Sequence, residues 1–219
     1  MNHFLNQRCT VCLATAVLLT PFSVAAEEKT GFYASVYGGP SAMATTSFSE
    51  SRTAAAPVGG QVNFGYGIGF GTAVGYRYGN GWALELALDE RGNTLKSIGV
   101  VPVDGNVFSE VVFLNGYHRF PARGSLRPFI GAGLGYVAVM DIDVERNGTE
   151  QEYSRQGGLA VQAIAGVEYS LSDHWSLSGD VRWSHMRSGT FKATTAGSAL
   201  TGQPRYQPVS LNVSLSYRF

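Results

Sequence analysis

The sequence predicts an all-β fold, an eight-stranded antiparallel up-and-down transmembrane β-barrel over residues 27–219, preceded by a cleavable signal peptide over 1–26. Three observations predict it. Apolar and polar residues alternate with a period of two in one segment after another. Short and long connections between those segments also alternate. Aromatic residues gather at segment ends beside the short connections.

The leader comes first. Arg8 is the one formal charge before Glu27, and the apolar stretch Cys9 to Thr20 follows it. Pro21 and the small residues Ser23, Val24, Ala25 and Ala26 complete the pattern of an export signal cleaved after Ala26. The apolar stretch is shorter than the roughly 20 residues a spanning helix requires. Cleavage would remove both cysteines, Cys9 and Cys12, leaving no disulfide and no thiol chemistry. Losing Arg8 from 16 basic residues, against 16 acidic ones, leaves a mature net charge of about −1, which gives no footing for nucleic-acid binding. Charged residues make up 15% of the chain, low against roughly 25% for a soluble domain, while glycine is abundant at 28 residues.

The strands follow from alternation. The last segment is the cleanest: Val209, Leu211, Val213, Leu215, Tyr217 and Phe219 share one face, and Ser210, Asn212, Ser214, Ser216 and Arg218 share the other. Tyr66 to Tyr76 sets bulky residues against Gly67, Gly69, Gly71, Ala73 and Gly75. Trp82 to Leu88 sets them against Ala83, Glu85 and Ala87; Ile130 to Tyr136 sets them against Gly131, Gly133 and Gly135. Leu159 to Tyr169 and Trp175 to Trp183 behave alike. Two weaker segments, Phe32 to Gly39 with Tyr33 and Tyr37 inward and Phe108 to Phe120 with Asn115 inward, bring the total to eight. An eight-stranded barrel has an interior only just wide enough for its side chains, so small residues facing in and bulky ones facing lipid suit it. A soluble sandwich would show the reverse.

The connections read as long (Pro40 to Gln61), tight (Gly79 to Gly81), long (Arg91 to Val107), short (Pro121 to Leu126), long (Asp141 to Gly157), tight (Ser172 to His174) and long (Arg187 to Tyr206). Asn80-Gly81 is a strong hairpin signal. Short turns on one side and long loops on the other match a barrel of the outer-membrane type, with both mature termini at the short-turn end. Tyr76, Tyr78, Trp82, Phe129, Tyr169, Trp175, Tyr217 and Phe219 all fall beside short connections, where an interfacial girdle belongs.

The segments GYRYGNGWALELAL (Gly75 to Leu88), LNGYHRFP (Leu114 to Pro121), RPFIGAGLGY (Arg127 to Tyr136), AGVEYSLSDHWSLSGDVRW (Ala165 to Trp183) and the terminal SLSYRF carry a resemblance. With them the chain resembles the opacity-protein and surface-antigen family of small outer-membrane barrels, OmpA- and OmpX-like in architecture. The resemblance implies a bacterial outer-membrane location, no enzymatic activity, and a surface-interaction role as antigen or adhesin. Its implied partners are outer-membrane lipids, lipopolysaccharide and a possible host surface ligand. Leu215, Tyr217 and Phe219 resemble the C-terminal signal read by the barrel-assembly machinery. No cofactor or metal motif is present.

Seven charges take inward parity: Arg77, Glu85, Asp89, Glu168, Asp180, Arg182 and Arg218. Charges inside a membrane-spanning structure are costly unless paired, so they are expected to form an ion network that plugs the lumen, with Glu85 and Arg182 as its leading pair. The rival is a polar conduit. A channel for small apolar solutes, as in the OmpW group, would require an apolar lumen with a lateral opening, against which the Gly, Ser and charged inner face argues. Val181 to His185 is similar to the stretch before the catalytic histidine of lipid A deacylases. The serine those enzymes place two residues later is Arg187 here, and Ser184 and Ser188 have the opposite parity from His185. Specificity is expected in the loops: an acidic one, Asp141 to Arg155, suited to divalent cations, and a basic one with Arg187, Lys192 and Arg205, suited to lipopolysaccharide phosphates.

Overall fold

A computed structural model describes residues 30–52, 55–98, 101–146, 149–187, 191–193, 198–200 and 206–219. The leader expected over 1–26 lies outside them. The strands are β1 (Gly31–Met43), β2 (Thr46–Arg52), β3 (Ala55–Arg77), β4 (Trp82–Ile98), β5 (Val101–Arg119) and β6 (Leu126–Arg146). They continue with β7 (Thr149–Arg155), β8 (Leu159–Ser170), β9 (Trp175–Met186), β10 (Phe191–Ala193), β11 (Ser198–Leu200) and β12 (Pro208–Arg218).

Eight of them close a ring in the order β1, β12, β9, β8, β6, β5, β4, β3 and back to β1. Every pairing in it is antiparallel, from Tyr33 opposite Arg218 to Ser41 opposite Gly67. The remaining four extend the same wall. β2 continues β1 along β3, and β7 precedes β8 along β6. β10 and β11 join β7 to β2. The wall therefore has eight staves throughout. Four run unbroken (β3 to β6), and four are divided into two strands each.

The long connections are shorter than the sequence suggested. Strand pairing continues from Arg91 opposite Ser109 up to Ile98 opposite Val101, and from Met140 opposite Arg155 up to Arg146 opposite Thr149. The reason is a change of facing. In the lower ring the exposed residues are apolar, among them Leu84, Leu86, Leu134, Leu211 and Val213, and the inner ones are mostly small, polar or charged, with Tyr33, Tyr37, Phe113, Tyr117 and Ile164 among them. Past about Asp89 this inverts. Thr94, Lys96, Asp104, Asn106, Glu145 and Glu152 are exposed, whereas Leu95, Val107, Met140, Val144 and Tyr153 are buried. Lipid requires apolar groups outside, and water requires them inside. The inversion marks the level at which the wall leaves the bilayer, and above it the barrel carries a hydrophobic core of ordinary soluble type.

At the other end the turns are tight. Tyr78 N donates to Trp82 O at 2.8 Å, with Gly81 at φ 87° supplying the left-handed conformation a side chain would resist. Ser172 Oγ accepts from the backbone of His174 and Trp175 at 3.3 and 3.1 Å. Above these turns runs the girdle: Phe32, Tyr76 and Tyr78 stack edge to face, as do Trp175, Tyr217 and Phe219, while Trp82 and Phe120 flank His118. Phe129 does not belong to it. Its parity is that of Gly131 and Gly133, and its ring packs inward on Tyr117 at 5.8 Å.

Glycine placement follows from register. Gly75 lies opposite Tyr33 and Gly71 opposite Tyr37; Gly131, Gly133 and Gly135 lie opposite Tyr117, Asn115 and Phe113. A Cβ at Gly75 would stand 2.5–2.6 Å from the Tyr33 ring, and one at Gly135 2.6 Å from that of Phe113. β3 and β6 give up side-chain volume where β1 and β5 send large rings into a narrow lumen.

Candidate functional site

The lumen is filled in layers. At the short-turn end, Glu168 is clamped between two arginines: Arg77 Nη2 lies 2.7 Å from Oε2, and Arg119 Nη2 bonds Oε1. Arg77 also lies over the Tyr33 ring, 4.9 Å from its centroid. Strands β3, β5 and β8 thus meet across the interior.

One step up, Glu85 on β4 accepts from Tyr33 Oη and Tyr117 Oη, both at 2.8 Å, and from Asn115 Nδ2 at 3.1 Å. Asn115 in turn accepts from Gln162 Nε2 at 2.6 Å. A carboxylate surrounded by three neutral donors keeps its lone pairs satisfied without a cation in contact.

The next level holds two ion pairs, each between inward neighbours two residues apart on one strand. Asp180 takes Arg182 Nε at 2.8 Å and Nη2 at 3.3 Å, together with Asn212 Nδ2 at 3.1 Å. Asp89 takes Arg91 Nε at 2.7 Å, and Arg91 Nη1 donates to Ser184 Oγ at 3.0 Å. The Tyr37 ring links the two pairs, with the Arg182 guanidinium 3.8 Å from its centroid and its hydroxyl donating to Asp89 at 3.3 Å. Above them Tyr206 Oη donates to Asn93 at 3.2 Å and accepts from Ser109. Val107, Val111, Phe113, Val137, Met140 and Met186, all nearly inaccessible, pack beside these upper polar levels, and Val62, Leu95, Val144 and Tyr153 continue the apolar fill toward the extracellular end.

Four carboxylates (Glu85, Asp89, Glu168, Asp180) therefore stand against four guanidiniums (Arg77, Arg91, Arg119, Arg182) within these layers. Burying charge costs several kcal/mol per ion, and pairing with further hydrogen bonds offsets it. A cavity of about 50 Å³ remains beside Tyr33, Arg77, Glu85, Tyr117, Glu168 and Arg182, room for a few waters.

The expected residues separate into two groups. Arg77, Glu85, Asp89, Glu168, Asp180 and Arg182 are all buried in the lumen. Arg218 is not among them: half-buried at the rim, it donates through Nη2 to the Asp173 carbonyl. Glu85 and Arg182 do not form the leading pair. Tyr33 on β1 and Tyr117 on β5 reach Glu85 from either side of β4 and occupy it, while Arg182 is bonded to Asp180 on its own strand. Arg91 and Arg119 were missed. Arg91 stands at the first position read as loop, and Arg119 at the ragged end of the weakest segment. The signal for Arg91 was available, because it continues the inward parity of Glu85, Ala87 and Asp89.

Elsewhere, His185 is half-buried, stacked on Trp183 at 6.2 Å and bonded through Nδ1 to Gln207 Nε2 at 2.9 Å. Ser184 faces the lumen and is taken by Arg91. Ser188 and Arg205 lie outside the described residues. Leu215 and Phe219 are exposed on the outer face, with Tyr217 half-buried between its stacking partners.

Comparison with known proteins places this architecture. Residues 10–219 match the family model described as outer membrane protein beta-barrel domain. Among curated relatives, the uncharacterized outer-membrane protein y4mB of Sinorhizobium fredii is 22% identical over 67% of this chain and 63% of its own length. Outer membrane protein W of Vibrio cholerae is 28% identical over 37% of this chain and 39% of its own. The chain thus spans less than two thirds of either relative. Among solved structures, outer membrane protein OprG of Pseudomonas aeruginosa superimposes with a TM-score of 0.61 at 14% identity, covering 86% of this chain and 97% of that one. That likeness is one of fold. With nearly the whole sequence matched and the eight-staved wall closed, the chain belongs to the outer membrane protein β-barrel domain family and resides in the bacterial outer membrane.

Proposed function

We propose that the protein is a non-conducting, non-catalytic surface protein. Its membrane ring is an anchor, and its water-bathed upper barrel is the part that meets partners outside the cell. The observation that carries this reading is the stack of charged and tyrosine layers reaching across the lumen from opposing strands. Ions cannot follow a path whose carboxylates and guanidiniums are already bonded to one another. The upper barrel supports the reading from the other side: a rigid, strand-built platform exposes Lys96, Asp104, Asn106, Glu145 and Glu152 to solvent. Refolded protein in planar bilayers is expected to show no steady conductance. Reproducible unitary steps in ordinary salt would overturn the proposal.

One observation favours a second reading. The extracellular half of the lumen is apolar rather than Gly, Ser and charged, contrary to the expectation from the lower strands. The staves that break into two strands are also adjacent in the wall, on one side of the barrel. Such a lumen suits a small apolar solute that enters from outside and leaves sideways above the charged floor. Under this reading naphthalene titrated into micelle-embedded protein binds saturably, and Leu95→Asp, at a buried apolar position above the charged levels, removes the binding. No binding in the unmodified protein leaves the surface-protein reading alone.

A further inference from the structure

We propose that the outer face of β9, where the wall leaves the bilayer, is a binding site for the phosphorylated sugar headgroup of an outer-leaflet glycolipid. On β8, β9 and β12 the outer face is apolar up to Leu159, Trp183 and Val209, all exposed. Above that level stand His185 near the end of β9, Arg187 just past it, and Gln207 just before β12. No carboxylate shares this face of the three strands, because Glu168 and Asp180 point into the lumen. Across the ring, on β4 and β5, the same boundary is marked by Glu90 and Glu110, directly opposite each other. The rim of the membrane ring is therefore anionic on one side and cationic at Arg187, and an anionic headgroup is drawn to β9.

The donors are fixed from the backbone outward. Arg187 N donates to the Leu159 carbonyl at 2.9 Å, and the Arg187 carbonyl accepts from Arg155 Nη1 at 2.8 Å. The exposed Arg187 side chain pairs with no carboxylate among the described residues. A guanidinium fork engages two phosphate oxygens at once. His185 lies two residues, or about 6.6 Å, lower along the strand, its ring parallel to that of Trp183 with 9° between the planes. An amide nitrogen only donates, so the 2.9 Å contact with Gln207 Nε2 makes His185 Nδ1 an acceptor and puts the proton of the neutral ring on Nε2. No described residue accepts that N–H. At the edge of hydrocarbon it requires an acceptor, which an acyl ester or sugar hydroxyl of the lipid supplies. Val161 and Ala163, opposite His185 and Trp183, are short, so β8 leaves a shelf for an acyl chain beside the indole. On the extracellular side of a bacterial outer membrane, the lipid that offers phosphate, hydroxyl and acyl chain at successive depths is lipopolysaccharide. The site lies outside the lumen and stands whether or not the barrel conducts.

The test titrates bisphosphorylated lipid A into full mature protein in uncharged detergent and follows the bound lipid by native mass spectrometry. One tightly held, saturable lipid is expected. Arg187→Ala should weaken it about tenfold, the loss of one charge-assisted contact. His185→Phe keeps a ring and removes the donor, and should weaken it roughly fivefold. Both positions face outward at the rim, so both variants should fold, which heat-modified mobility on gels checks. Lys96→Ala removes an exposed cation from the opposite side of the ring and should leave the affinity unchanged. In nitrogen-15 spectra the His185 Nε2–H signal should shift as lipid A binds, and Gln207→Leu, which frees the imidazole to turn, should remove that shift. Phosphatidylglycerol competing equally with lipid A would make this a site for any anionic lipid and overturn the glycolipid assignment. Equal lipid A binding by the unmodified protein, Arg187→Ala and His185→Phe would overturn the site itself.

Discussion

Asp180→Ala is expected to destabilise the barrel by about 3–5 kcal/mol, the usual cost of leaving the partner of a buried ion pair uncompensated. The pair qualifies as buried: the Arg182 and Asp180 side chains are 4% and 2% exposed. The carboxylate also anchors Asn212 from the neighbouring β12 and lies near Ser214. Removing it strands a guanidinium on the face of Tyr37, in a space with little water to solvate it. An exposed pair of the same geometry would lose no more than about 1 kcal/mol. Replacing both partners, Asp180→Leu with Arg182→Met, should recover most of the loss, because it removes the orphan charge as well as the bond. Urea unfolding of the protein in lipid vesicles provides the measurement. Trp82, Trp175 and Trp183 all face outward, so their fluorescence reports departure from lipid. A cost for Asp180→Ala below about 1 kcal/mol would mean that the lumen is wet at this level, and the plugged-barrel reading would fail with it.

Which side each residue faces was legible in the sequence; who bonds to whom was not. Parity needs only the chain itself, because a strand alternates whatever surrounds it. It therefore located Glu85, Asp180 and Arg182 inside without knowledge of any neighbour. Pairing depends on height around a closed, tilted wall, and Glu85 and Arg182 sit on strands that are not adjacent. Tyr33 and Tyr117 reach Glu85 first, and their hydroxyls could not be recognised as partners before the register was known. The upper barrel was misread for a different reason. The search followed one facing rule, apolar outward, and it stopped where that rule stopped holding, near Asp89. Beyond that point Thr94 and Lys96 alternate with Asn93 and Leu95, a strand pattern for a wall in water. The two rules meeting in one strand are themselves a signature of the bilayer surface, and following parity through the inversion would have recovered Arg91 together with the apolar inner face.

The steric half of the design carries the second large effect. Gly75→Val is expected to abolish refolding into vesicles. Its Cβ would fall 2.5–2.6 Å from Tyr33, and that ring has nowhere to go: its hydroxyl is held by Glu85 at 2.8 Å, and the Arg77 guanidinium covers its face. Overpacking ordinarily costs 1–3 kcal/mol because neighbours shift. Here the neighbour is tied into two charge layers, so a shift would also break the bonds that make buried charge tolerable. Space alone, rather than backbone freedom, is the cause, and two comparisons isolate it. Gly116, on the lipid side of β5, has open space where a Cβ would stand, so Gly116→Val should fold normally. Tyr33→Ala placed beside Gly75→Val should restore folding in part, since it returns the volume while losing the Glu85 hydrogen bond. If the double variant folds no better than Gly75→Val, glycine serves the curvature of β3 instead, and the pairing of small residues against inward rings is not what keeps the lumen closed.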